Sequence, residues 1–348
     1  MVIRLLPRKV RRWLAATLAA AFMVGGLASG AAALSASHSP EPDASSWMLG
    51  SLDAAREDTD RDAGPAEPLA TPGRLNILLL GIDRRPVQEP DAPALTDGVM
   101  VLSVDRDRQT AGILSIPRDL WLPIPVAPDR VLQDRVNSAY AYGEVLGYPG
   151  GGPALAKATV EYNLGIRIHR YAVLDFQAFE RAIDAIGGVD VDLPAPLVDP
   201  AFPTGNYGAV PIALPAGKQH LTGERALWLV RSRYQSSDFS RMHRQQQVLL
   251  AARDQVLRLD MAPRLPQLYL QLSDAVRTDV SLLEIADLVR LAWSIPAGRI
   301  QTRTIDAEDV YRGGVAADPF ALLPNRARIG VLVRDLFLDE RTAKTAGQ

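Results

Sequence analysis

The apolar residues of this chain fall into runs of different period, and each period predicts a different element. The longest uncharged run, residues 13–34, follows a cluster made of Arg4, Arg8, Lys9, Arg11 and Arg12. It matches the ~20 residues that a helix needs to cross a bilayer, and the basic flank sets residues 1–12 on the cytoplasmic side. A single transmembrane helix is the reading; a cleaved signal peptide is the alternative, since "AAALSAS" offers small residues to a peptidase. Both place the remainder outside the cytoplasm. Residues 35–73 then turn to Ser, Pro, Ala, Asp and Glu, which predicts a disordered tether.

Beyond residue 74 the runs shorten. Residues 75–80 in "RLNILLLGIDRRP" are continuously apolar and end at Gly81 and charges, as a buried strand feeding a loop does. Two apolar segments around a polar turn at 105–110 predict a β-hairpin over 99–116. "RYAVLDF" predicts a strand. In "FQAFERAIDAIGG" the residues Phe176, Phe179, Ile183 and Ile186 share one helical face before a glycine stop. "VDVDL" alternates as a strand, residues 154–163 predict a helix, and "LTGERALWLVRSR" and "DFSRMHRQQQVLLAARDQVLRL" predict one short helix and one long one. Strands and helices mixed in this order predict an α/β fold, a three-layer α/β/α domain with a mixed central sheet over 74–258. Residues 259–348 read as its C-terminal helical and strand extension.

Composition narrows the chemistry. A formal net charge of -2 argues against a general nucleic-acid binder, so any anion site is local. The chain has no cysteine, which excludes disulfides, thiolate metal sites and thiol nucleophiles. Its four histidines, at 38, 169, 220 and 243, form no Ser-His-Asp pattern. "GYPGGGP" lacks the lysine of a nucleotide-phosphate loop and reads as a turn before a helix.

Three places concentrate charge at predicted element ends. Asp83 and Asp97 suit Mg²⁺, which takes one or two carboxylates plus phosphate oxygens and water; aspartates capping loops are the alternative. Arg118 and Asp119 follow the second strand of the hairpin, where a structural salt bridge explains them equally well. The third is "VRSRYQSSDFSRMHRQQQ". On a strand, Arg231 and Arg233 would share a face. On the long helix, Arg241, Arg244 and Gln245 would form one polar patch, with Asp238 at the N-cap. A helix N-terminus favours anions, and guanidinium forks match phosphate oxygens in pairs. A solvated basic face is the plainer explanation, but it fits poorly because Gln stands where Glu and Lys partners would be. His243 lies in the same stretch and reads as a surface residue.

The blocks "GIDRR", "TDGVMVLSVD", "ILSIPRD", "RVNSAYAYG", "DFQAFERAIDAIGGVDVDL", "LPAGKQHLTGERALWLVRSR" and "DFSRMHRQQQVL" occur in the order found in the LytR-CpsA-Psr enzymes of the bacterial envelope, which this chain resembles. The resemblance implies a phosphotransferase that moves a glycopolymer from a polyprenyl pyrophosphate carrier to a peptidoglycan hydroxyl and releases polyprenyl phosphate, with pyrophosphatase as a side activity. It implies Mg²⁺ held by Asp83 and Asp97. Pyrophosphate would be bound by Arg118, Arg231, Arg233 and Arg241 with Gln245 beside them, and Asp238 would take the proton of the incoming hydroxyl. It implies an apolar groove for the polyprenyl chain, a single-pass location in the bacterial membrane with the catalytic domain outside, and no nucleic acid. One position departs: Leu95 stands where family members usually carry arginine, leaving Arg84 or Arg85 to supply that phosphate contact. That departure also admits a module that binds lipid-linked glycan without turnover.

Overall fold

A computed structural model describes residues 73–83, 93–204, 208–234, 237–258, 276–313, 315 and 318–337. The predicted membrane helix, most of the tether, and Arg84 and Arg85 lie outside the described residues. No helix among those described is long and apolar enough to cross a membrane.

The chain runs β1 (Arg74–Ile82), β2 (Thr96–Asp105), β3 (Thr110–Ile116), β4 (Trp121–Ala127), β5 (Arg130–Arg135), α1 (Ser138–Val145), α2 (Gly151–Leu164), β6 (Arg170–Leu174) and α3 (Phe176–Ala185). It continues through β7 (Val189–Leu193), β8 (Leu197–Pro203), β9 (Ala209–Leu214), β10 (Gly217–Leu221), α4 (Gly223–Arg231) and α5 (Asp238–Arg258). It ends with β11 (Val276–Thr278), α6 (Leu282–Ser294), β12 (Ile300–Thr304), β13 (Val310–Arg312), β14 (Leu322–Pro324) and α7 (Arg326–Phe337).

Six strands form the central sheet in the order β11-β6-β1-β2-β3-β12. The predicted hairpin is its middle, with Val99 opposite Ile116. β1 is antiparallel to β2 and parallel to β6, and β3 is parallel to β12, so the sheet is mixed. Both edge strands come from the C-terminal quarter, which is therefore built into the sheet rather than appended to it. These directions bring the C-terminal ends of β1, β3, β6 and β12 to one edge, together with the start of β2.

Side-chain alternation along the strands splits the core in two. Ile77, Leu79, Met100 and Ile113 face a cluster that includes residues of α3, α4 and the later turns of α5. Leu78, Leu80, Val101 and Leu114 face a second cluster with residues of α1, α2 and α7. The α3 face reads as its sequence period requires: Phe176, Phe179, Ile183 and Ile186 are all buried, and Asp175 caps the helix by accepting from Ala178 N–H. The first turn of α5 reaches the second cluster through Phe239 and Met242, while Val248, Leu249 and Ala252 enter the first. Arg241 thus lies between the two cores.

The "GYPGGGP" stretch serves close packing: a Cβ on Gly143 would meet the Gly151 carbonyl oxygen at 2.7 Å, so α1 and α2 touch backbone to backbone. The second helix begins at Gly151, earlier than the residue 154 that the apolar pattern predicts. The start of α4 is packed as tightly on α3. A Cβ on Gly223 would fall 2.2 Å from the Glu180 carbonyl oxygen. Gly223→Ala is expected to destabilise the fold by about 1–3 kcal/mol through overpacking against backbone, read as a lower midpoint in urea unfolding; an unchanged midpoint would show that α3 and α4 are not held in this contact.

Candidate functional site

The site forms where the strand ends meet. Asp83 follows β1, its backbone N–H bonding the Leu95 carbonyl at 3.3 Å just before β2. Asp97 is the second residue of β2, and its side chain is fully buried. Arg118 sits in the turn after β3, where Leu120 N–H bonds the Pro117 carbonyl at 3.1 Å. That turn is tied to β2 through one residue: Asn137 N–H donates to the Arg118 carbonyl at 3.3 Å, and the Asn137 carbonyl accepts from Thr96 N–H at 3.2 Å. Arg118 Nη1 then donates to Asp97 Oδ1 at 2.7 Å.

Arg233 and Arg241 reach this pair from the other side in sequence. Arg233 Nη2 lies 3.5 Å from Asp97 Oδ2. Arg241, with 1 % of its side chain exposed, contacts both Asp238 oxygens, at 2.7 and 2.9 Å. Burial pulls the Arg233 pKa down to about 10, with the neighbouring Arg241 and Arg118 charges adding to the effect against Asp97 and Asp238. Arg241 is lowered by burial and by Arg118. Arg118 goes the other way: burial opposes its charge, but Asp97, Asp119 and Asp238 more than offset it. The three guanidiniums therefore share few carboxylates, and several of their buried nitrogens have no hydrogen-bond acceptor: Nε of Arg118, Nε and Nη2 of Arg233, Nε and Nη1 of Arg241. Asp97 Oδ2 likewise accepts no hydrogen bond. A cradle of N–H donors fixed in low dielectric is suited to a polyanion.

Two sequence expectations about this stretch are corrected. Arg231 and Arg233 do not share a strand face, because Arg231 ends α4, whose N-cap is Thr222, and the chain turns extended at Ser232. Arg231 is buried at the same sheet edge but stacked on aromatic rings, 4.0 Å from the Phe176 centroid and 5.0 Å from that of Phe202. Nor do Arg241, Arg244 and Gln245 form one patch. Arg244 donates to the carbonyls of Leu229, at 2.8 Å, and Ser232, while Gln245 donates to that of Val230 at 3.3 Å. Leu229 and Val230 offer last-turn carbonyls of α4 that lack helical partners and Ser232 is its C-cap, so α5 clips α4 in place and sets Arg241 against Arg233. The cap of α5 is Ser237, whose hydroxyl accepts from Ser240 N–H at 3.1 Å, and Asp238 is the first helical residue. His243 is exposed.

Sequence reasoning missed two supports. Asp119 bridges two arginines: its Oδ2 lies 3.6 Å from Arg118 Nε, the salt bridge that the sequence allowed, and its Oδ1 accepts from Arg135 Nη1 at 2.6 Å, while Arg135 also holds Asp318 through two nitrogens. Gln246 Nε2, buried, contacts Ser115 Oγ, the Arg303 carbonyl and Thr304 Oγ1, at 2.8, 2.7 and 3.2 Å, which fixes α5 to β3 and β12. Partners 183 residues apart, as Arg135 and Asp318 are, leave no local pattern to read.

A profile of the LytR_cpsA_psr family matches residues 48–321. The chain is 33 % identical over 217 residues to the polyisoprenyl-teichoic acid–peptidoglycan teichoic acid transferase TagU of Oceanobacillus iheyensis, a match spanning 62 % of each protein. It is 30 % identical over 216 residues to the regulatory protein MsrR of Staphylococcus aureus, spanning 61 % of this chain and 58 % of MsrR. The matched region thus falls short of two thirds of the length of these relatives. Among solved structures, Bacillus subtilis TagV aligns with a TM-score of 0.61 at 25 % identity, over 78 % of this chain and 99 % of TagV. TagT bound to LIIa-WTA aligns at 0.60 and 25 % identity, over 80 % and 96 %.

Burial holds the Arg233 pKa at about 10, well below the ordinary guanidinium range, so the folded state carries the charged side chain at a penalty on the order of 3 kcal/mol. That penalty is full below the folded pKa and is relieved as pH rises above it, because the unfolded chain then binds the extra proton. Arg233→Met should therefore raise stability at neutral pH by about 1–2 kcal/mol, measured by guanidinium chloride unfolding; a loss of stability would mean that the cradle is not strained.

Proposed function

The chain belongs to the LytR_cpsA_psr family, and from that premise we propose that it is a phosphotransferase that moves a glycopolymer from a polyprenyl pyrophosphate carrier to a peptidoglycan hydroxyl. The observation that carries this reading is the set of buried guanidinium donors without acceptors on Arg118, Arg233 and Arg241, facing a fully buried carboxylate. Diphosphate oxygens supply the missing acceptors. The names of the relatives TagU and TagV, and the ligand of the TagT structure, support the same class of substrate.

In this reading the acceptor hydroxyl oxygen attacks the phosphorus that bears the glycan. The bond from that phosphorus to the bridging oxygen breaks, and polyprenyl phosphate leaves with the electron pair. Arg118, Arg233 and Arg241 hold the phosphate oxygens as charge grows on them, so positioning and electrostatics supply the rate. Asp238, whose side chain is 25 % exposed where that of Asp97 is fully buried, is the carboxylate that an incoming hydroxyl can reach, and it takes the proton. Arg231 orders the aromatic wall beside the cradle. Among the described residues no group of three or more His, Cys, Asp or Glu is placed to hold a metal. Two carboxylates completed by phosphate oxygens nevertheless fit Mg²⁺, and Asp83 with the Oδ2 of Asp97 are the residues that would hold it. When bound, the ion neutralises and orients the diphosphate.

In this reading the lipid tail would lie along the face of the sheet that packs on α5 and α6. A narrow apolar cleft, partly open to solvent, is lined by Ile77, Val104, Ile113, Leu249, Leu288 and Ile295 among others. At about 3.3 Å per strand residue, Ile77 lies ~20 Å from Asp83 along β1, a span that an extended isoprenoid chain covers. Residues 13–34 anchor the chain in the membrane and keep this domain outside.

Leu95, half-buried, brings no charge to the cradle, and turnover separates the transferase from a binder. Incubated with a polyprenyl-diphosphate-linked sugar and an acceptor glycan, the wild type should release polyprenyl phosphate in a Mg²⁺-dependent way. Arg241→Ala should lower kcat/KM by about 10²–10³-fold, as loss of one oxyanion donor does, with its circular dichroism unchanged. Wild-type turnover in a folded Arg241→Ala protein would refute the assignment, and tight binding without any release would make this protein a carrier.

A further inference from the structure

The β8–β9 hairpin stands apart from the central sheet as a ribbon of its own. Residues 194–217 around it contain a single charged residue, Asp199. At the chain's average of 22 % charged residues, a stretch this long would carry about five. Asp199 is buried and accepts from Ser232 Oγ at 2.7 Å, so no charge reaches the outer surface of the ribbon. Val198 opposite Ala213 is 50 % exposed, Val210 is 42 % exposed, and Ala201, Ala209 and Pro211 are exposed with them. Phe202 and Ile212 fill the inner side.

We propose that the outer face of this hairpin docks on the lipid surface of the membrane and holds the cradle at the level of the headgroups. Three observations select lipid over a protein partner. Pro200, Pro203 and Pro211 remove backbone donors from both strands, which makes the ribbon a poor template for adding a strand. The absence of surface charge gives a protein partner nothing to set register or orientation, whereas a fluid apolar boundary asks for none. The ribbon also joins the site directly: Phe202 of β8 forms part of the aromatic seat of Arg231, and Asp199 holds Ser232, one residue before Arg233. Its direction rests on the lipid-linked substrate proposed above, but its test does not use that substrate.

The chain has no cysteine, so one introduced thiol reports one position. Full-length Val210→Cys carrying an NBD fluorophore is reconstituted into phosphatidylethanolamine–phosphatidylglycerol vesicles containing doxyl-labelled phosphatidylcholine. Val331→Cys is the reference; it is 46 % exposed on α7, which packs on the opposite face of the sheet. Doxyl lipid should quench the probe at 210 at least twofold more than the probe at 331, and adding Val198→Asp should abolish the difference. Equal quenching at the two positions would overturn the proposal, as would concentration-dependent self-quenching at 210, which would assign the face to a second copy of the chain. A protein that shows the quenching but no glycan transfer would leave this inference standing and remove the enzymatic one.

Discussion

The site depends on one imbalance, between hydrogen-bond donors and acceptors. Asp97 is fully buried, and Arg118 and Arg233 hold it from two sides while Arg241 stands behind them on Asp238. A carboxylate at that depth needs a cation beside it. The three guanidiniums, however, carry more N–H donors than Asp97, Asp119 and Asp238 accept, which leaves donor nitrogens buried without acceptors. In water such a group would scatter. Here each member is fixed to a different element of the fold, so the repulsion is stored as an affinity for negative charge rather than dissipated by movement.

Strand direction explains why such distant residues meet. The start of β2 and the ends of β1 and β3 lie on one edge because the first two are antiparallel and β3 returns parallel to β1. That edge receives Asp83, Asp97 and Arg118 from within 36 residues of chain. The second set comes from α4, α5 and the loop between them, where Arg244 and Gln245 bond the end of α4 and Gln246 bonds β3 and β12. The helix is held against both the neighbouring helix and the sheet. A shift of α5 would break these bonds before it could relieve the crowding of guanidiniums.

The same distinction governs what the sequence could reveal. Buried strands and the amphipathic α3 are written in local periodicity, and 75–80, 99–116 and the apolar face of α3 are found where the pattern puts them. The clustering of Arg118, Arg233 and Arg241 with Asp97 was legible as residue type and family order, but their orientation was not. A strand rule applied to Arg231 and Arg233 fails because the peptide leaves the helix at Ser232, so two arginines two residues apart point to an aromatic seat and to a carboxylate. In the same way a run of Gln and Arg on one helix looks like a single patch. In the fold, Gln245 and Arg244 are spent on carbonyls, which only the position of α4 decides. Edge strands β11 and β12 were read as an extension because three to five residues carry too little periodicity to declare their partners.

The lipid-linked diphosphate proposed as substrate would pose opposite demands, since donors that grip phosphate lose strength in water and a surface that shelters a lipid repels charge. This fold would meet them by using the sheet twice. Its edge, where strand ends and loops present backbone and charged side chains, holds the guanidiniums; its face, where alternation turns the buried Ile77, Val104 and Ile113 to one side, lines the apolar cleft. The seat of Arg231 lies between these regimes, a buried cation packed against the rings of Phe176 and Phe202. Rings can accept a guanidinium without bringing a competing negative charge. The aromatic contact therefore lets the apolar hairpin approach the cradle, with Phe202 of β8 on the guanidinium of Arg231.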